Sequence, residues 1–162
     1  MEVRVRTVLL MSPDVVYSRQ FKKFLEEAEK ECGQRFALEH KEEFSLGMER
    51  LAKPGIDMVI LDLSFPAFFG LEPLSRLYAK VRNIPIIVLL DKDKSSFIEG
   101  ALYNGAVECL LKNELNFDLV VHSIDFGFRQ FQLYTQLIHA KEKIEIKEAQ
   151  FREVKVKLTM EG

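Results

Sequence analysis

Stretches such as Asp57–Leu63 (DMVILDL) and Ile84–Leu90 (IPIIVLL) are apolar almost throughout, and a segment of helical periodicity separates them. A strand with one wet face alternates apolar and polar residues, whereas a strand buried on both faces of a parallel sheet reads as a near-continuous apolar run. The rest of the chain fits the second pattern. Val5–Met11 reads as a first strand, ended by Ser12-Pro13-Asp14, and Val15–Lys30 follows as a helix with Val16, Phe21, Phe24, Leu25 and Ala28 at helical spacing. Phe36–His40 alternates as a half-buried strand, and Phe44–Lys53 is a helix through Phe44, Met48 and Leu51 that Pro54-Gly55 stops. Gly70–Val81 is helical through Leu71, Leu74, Leu77 and Tyr78. Lys94–Asn104 is a helix closed by Gly105, Ala106–Leu111 is a fifth strand, and the pattern is helical from Phe117 almost to the end. Five strands alternating with five helices predict an α/β fold: a doubly wound, five-stranded parallel sheet with right-handed crossovers and an extended C-terminal helix.

The last helix outruns what one such unit needs. Leu137, Ile144, Phe151 and Leu158 recur every seven residues, with charged residues of both signs between them. That is the pattern of a short coiled-coil seam. The alternative is a solvated tail whose apolar residues pack on their own domain. The predicted organisation is a domain over residues 1–136 and a helical extension over residues 137–162.

Charge and cysteine usage remove several classes of function. Lys plus Arg number 23 and Asp plus Glu 25, a net charge of −2, without the basic surplus of a nucleic-acid binder. No apolar run approaches the roughly 20 residues that span a bilayer, and Met1-Glu2-Val3-Arg4 does not begin a secretory signal. Cys32 and Cys109 lie far apart with no CxxC pair, which indicates neither zinc nor a disulfide framework. The expectation is a soluble cytoplasmic protein that binds neither nucleic acid nor membrane. No glycine-rich nucleotide motif occurs, and Ser12-Pro13-Asp14-Val15 is a poor match to a flavin phosphate loop. His40, His122 and His139 have no metal spacing, and Glu26-Glu27 and Glu42-Glu43 read as solvated helix faces.

In an open parallel sheet, ligands bind beyond the carboxyl ends of the strands. The residues there are Ser12, Pro13 and Asp14 after the first strand, Asp62 at the third, Leu90 and Asp91 at the fourth, and Lys112 after the fifth. A carboxylate can attack phosphorus, and an ammonium can neutralise phosphoryl oxygens. A structural Asp62–Lys112 ion pair is the alternative.

Three segments, in order and at matching spacing, carry a family resemblance. Asp57–Leu74 (DMVILDLSFPAFFGLEPL), Ile84–Leu89 (IPIIVL) and Asn104–Leu115 (NGAVECLLKNEL) are similar to the receiver domains of two-component response regulators, over roughly residues 5–136. The resemblance implies a flavodoxin-like strand order 2-1-3-4-5. It also implies phosphoacceptor Asp62 with Lys112 as its phosphate-binding partner, and magnesium held beside the acceptor. Departures stand next to these matches. Ser12 and Pro13 replace the family's acid pair, leaving Asp14 with Asp62 as candidate metal ligands. Leu90 replaces the hydroxyl residue that meets the phosphoryl group, Cys109 the aromatic switch residue, and Asn113 the proline after the lysine. Loss of one preorganised donor typically costs roughly 3 kcal/mol of barrier.

Two readings follow. One is a phosphorelay receiver that takes phosphate slowly on Asp62 with weakened magnesium binding, and is otherwise no enzyme. The other is a pseudo-receiver that is not phosphorylated and serves as an interaction or dimerisation scaffold. The implied partners are a sensor histidine kinase or phosphotransfer protein, a downstream sensory or output domain, and a second copy of the chain. Lys147–Val154 (KEAQFREV) resembles joins leading into PAS-type sensory domains. The copy is expected to pair in parallel through the final helix, or through the face formed by the fourth helix, fifth strand and fifth helix. Phe68 or Phe69, in the loop after Asp62, is expected to contact a partner or cap the site.

Overall fold

Every residue of two strands, β3 (Met58–Asp62) and β4 (Ile86–Leu90), is buried, which is why their sequences tolerate so few polar residues. They lie in the centre of a parallel sheet with β1 (Arg6–Met11), β2 (Phe36–Lys41) and β5 (Glu108–Leu111). In this computed structural model, which describes residues 4–161, the order is β2-β1-β3-β4-β5. Residues 1–3 and 162, at the outer ends of the two predicted segments and the start of the stretch read for a leader, lie outside the described residues. The register sets Met11 beside Leu61, Asp62 beside Leu89 and Leu90 beside Leu111, so the strand ends meet at one rim.

Alternate strand residues feed two apolar layers. Leu9, Met11, Val59, Leu61, Val88 and Leu90 join Leu74 and Leu77 on one side. Val8, Leu10, Met58, Ile60, Ile87 and Leu89 join Phe21, Val120 and Ile124 on the other. Each fully buried side chain of this size contributes roughly 1.5–3 kcal/mol.

Helices cover both faces: α1 (Val15–Cys32), α2 (Phe44–Leu51), α3 (Glu72–Lys80), α4 (Ile98–Tyr103) and α5 (Phe117–Glu161). The strands and most helices begin and end within two residues of the positions expected from the sequence. One helix face differs. Val16, which falls with the apolar residues at helical spacing, is 68% exposed; the stripe that packs is Tyr17, Phe21, Phe24, Leu25 and Ala28, starting one residue later. The helix expected over Lys94–Asn104 also divides. A 3-10 turn covers Lys92–Phe97, Lys94 departs from helical geometry, and α4 starts only at Ile98. Asp91-Lys92-Asp93-Lys94-Ser95-Ser96 offers no apolar face to bury, and serine hydroxyls compete with helical hydrogen bonds. Gly105 ends this segment at φ 107, with the Tyr78 ring where a side chain would stand.

The chain divides into two compact units, one ending at Phe128 and the other starting at Arg129. In the first, α5 buries Val120, Ser123, Ile124 and Gly127. In the second, every described residue from Gln136 onward is exposed. Among the described residues, no helix is long and apolar enough to cross a membrane.

Candidate functional site

Asp62 ends β3 with no exposed surface, and its carboxylate is surrounded by donors. Oδ2 accepts the Ser12 hydroxyl at 2.7 Å and lies 2.8 Å from Lys112 Nζ. Oδ1 accepts the Ser64 backbone N–H at 2.9 Å and the Ser64 hydroxyl at 2.7 Å. An ionised carboxylate has about four lone-pair sites, so these four donors use its whole capacity. The Ser64 pair arises locally: an aspartate readily binds the backbone two residues on, in a turn of the Asx type.

Lys112 follows β5 and is also buried, its side chain 6% exposed. Its ammonium reaches Asp62, donates to Ser64 Oγ at 3.0 Å and lies 3.4 Å from Asp91 Oδ1. The Tyr17 ring covers it at 4.9 Å, a cation–π arrangement. Burial pulls the ammonium pKa down, but the Asp62 and Asp91 carboxylates outweigh it and hold the group above its ordinary value. The two buried charges lose water at a cost of several kcal/mol per ion, which only dense hydrogen bonding offsets.

The remaining rim residues are committed elsewhere. Ser12 Oγ accepts the Asp14 N–H at 3.1 Å, and the Ser12 carbonyl meets His40 Nε2 at 2.8 Å. Asp14 Oδ1 accepts the Val16 N–H at 2.8 Å and caps α1. Leu90 is 1% exposed and belongs to the apolar layer with Leu74 and Leu77. Cys109 is half-buried, its thiol donating weakly to the Ile98 carbonyl at 3.8 Å. Burial, with help from the Glu108 carboxylate, pushes that thiol up to about 11.

The phenylalanines after Asp62 go separate ways. Phe65 is buried against Phe44, and Phe68 lies edge-on to Phe44 with the Arg76 guanidinium over its ring. Phe69 is 91% exposed.

Sequence reasoning brought Asp62, Lys112 and Ser12 to one rim, and the structure joins all three. It assigned no role to Ser64 or Tyr17 in this cluster, and it placed Asp91 at the rim without pairing it to Lys112. The Asp62-x-Ser64 spacing was the available signal for the first; Tyr17 becomes visible only once α1 is placed. Among the described residues, no group of three or more His, Cys, Asp or Glu side chains gathers as a metal ion would need.

The family model of the response regulator receiver domain matches residues 8–124. The swarming motility regulation protein RssB of Serratia marcescens is 36% identical over 63 residues, which cover 39% of this chain and 29% of that protein. The match thus spans under a third of that relative's length. Full-length FixJ from B. japonicum superposes with a TM-score of 0.69 at 19% identity, over 81% of this chain and 61% of that one. A response regulator receiver domain protein from Clostridium thermocellum gives 0.68 at 18% identity, over 80% of this chain and 98% of that one. At such identities the two structures establish the fold alone.

Proposed function

The chain belongs to the response regulator receiver domain family, and from that premise we propose that it works as a pseudo-receiver, signalling through protein contacts without taking up phosphate. The observation that carries this reading is the saturated Asp62 carboxylate, with four donors inside 2.9 Å and no exposed surface. A nucleophile needs a free lone pair and room for in-line approach. Freeing one oxygen here means breaking hydrogen bonds to a charged group, each worth roughly 1.5–3 kcal/mol. Leu90 offers no hydrogen bond to an incoming phosphoryl group.

The donor set does not suit magnesium. The ion demands near-octahedral oxygen coordination, commonly through carboxylates and waters. Ser12 has turned its hydroxyl to Asp62, Asp14 uses Oδ1 to cap α1, and Pro13 has no side-chain ligand. On this reading the protein catalyses no phosphoryl transfer. Its partners are proteins: a sensor histidine kinase or phosphotransfer protein that docks without transfer, a sensory or output domain, and a second copy of the chain.

Incubation with Mg²⁺ and a small acyl phosphate, followed by intact-mass measurement, tests the proposal. The expected result is an unmodified protein. A phosphoryl adduct that is present in the wild type and lost in Asp62→Asn overturns it, and restores Asp62 as phosphoacceptor with Lys112 as its phosphate-binding partner.

A further inference from the structure

The second unit presents an apolar seam that nothing in that unit covers. Leu137, Ile144, Phe151 and Leu158 are 69%, 57%, 69% and 67% exposed. They interleave with Leu133, Ala140, Lys147 and Val154, giving alternating steps of four and three residues along α5. That rhythm is the one by which two helices bury a common stripe in a left-handed supercoil. Single exposed apolar residues need no explanation, but a contiguous unpartnered stripe marks an interaction surface.

We infer that the occupant is a second copy of the same helix, running antiparallel. This deepens the proposal above that the chain partners itself. The seam is nearly palindromic. Antiparallel pairing about its centre sets Leu133 against Leu158, Leu137 against Val154, Ala140 against Phe151 and Ile144 against Lys147. The smallest seam residue then faces the largest, so each layer fills without void or clash. Parallel pairing stacks Phe151 on Phe151 and Ala140 on Ala140, overfilling one layer and underfilling the other. It also sets Lys147 directly against its own copy inside the seam, whereas antiparallel pairing staggers the two by about 4.5 Å along the axis and gives each an apolar neighbour for its stem. Flanking charges do not choose between the two: antiparallel pairing puts Lys141 beside Glu148 twice, and parallel pairing puts Lys143 beside Glu148 twice. One two-fold axis relates the helices, and the interface closes on itself.

Cysteine cross-linking of the full chain tests orientation, in a Cys32→Ser background that removes the exposed native thiol. Leu137→Cys and Val154→Cys proteins are made separately, oxidised alone and oxidised as a mixture, with sedimentation equilibrium at tens of micromolar beside them. The expected result is a dimer by sedimentation, with disulfide-linked species only in the mixture. In an antiparallel pair two copies of residue 137 lie about 25 Å apart, too far to bridge. Self-linking of Leu137→Cys in a dimer overturns the antiparallel arrangement alone. A monomer that links in neither condition overturns self-association altogether, while the phosphoryl test decides the pseudo-receiver reading independently.

Discussion

The Ser12 hydroxyl donates to Oδ2 of Asp62 across 2.7 Å, joining residues 50 apart in sequence at the ends of two neighbouring strands. Its own oxygen accepts the Asp14 N–H in turn. By the family resemblance of the sequence, a neutral donor stands where an acid is expected, and the hydrogen bond that an acid could not make is what closes the carboxylate off.

Reversing this substitution should reverse the closure. Ser12→Asp with Pro13→Asp adds two carboxylates beside Asp62, and like charges at that range destabilise one another. We expect a lower Tm than wild type in chelator and a Tm that rises with Mg²⁺. Saturating the site a hundredfold above Kd contributes about 2.7 kcal/mol. Wild-type Tm should not respond to Mg²⁺, and an equal response in thermal unfolding of both proteins would sink the idea.

Lys112 and Asp62 hold each other in place. Removing one partner of a buried pair typically costs about 3–5 kcal/mol, because the other charge is left uncompensated. Lys112→Met should therefore lose that much in urea unfolding, and Asp62→Asn added to it should recover most of the loss. If the two substitutions simply added, the pair would not be coupled.

The two cysteines should differ in reactivity. Cys32 is exposed, whereas Cys109 is half-buried with its thiol pushed up to about 11. The thiolate is the reactive form, so a thiol reagent near neutral pH should label one site quickly in the native protein and the second only after denaturation. Peptide mapping that finds fast labelling at Cys109 would contradict its placement on β5.

Glu108 gives stability a pH dependence. Burial pushes its carboxyl above the ordinary 4.5, partly offset by the nearby Ser123 hydroxyl and His122 ring, and its Oε2 has no hydrogen-bond partner. For a raised pKa the stabilising contribution is complete below the unfolded value and is lost as pH rises through the folded one. At neutral pH the wild type therefore carries a half-buried charge that Glu108→Gln avoids. The variant should melt higher than wild type at pH 7, and its advantage should vanish at pH 4. A constant difference across that range would point to a cause other than ionisation.

The strands were legible because burial on both faces leaves hardly any choice of residue: Met58–Leu61 and Ile86–Leu90 could be little else. Asp62 and Lys112 were legible because strand ends converge wherever a sheet is parallel. Ser64 was not, since its role depends on a hydroxyl rotating back onto the residue two before it. The division at Lys94 escaped for a related reason. Helical periodicity fades gradually in a polar segment, and nothing in Asp91–Ser96 marks where one geometry gives way to the next. Val16 misled because it stands in the first turn beside the Asp14 cap, where Tyr17 takes the inward position instead.

A carboxylate sealed from inside by two serines and a lysine has a bearing on how such a domain could carry information. A rim that gains and loses a charged group reports events, because its shape follows the last modification. On the pseudo-receiver reading, a rim whose hydrogen bonds are complete at synthesis has no covalent setting, so its output would scale with the copies and partners present. Control would then fall to transcription, translation and turnover, and the half-life of the chain would become the clock that phosphate chemistry ordinarily supplies.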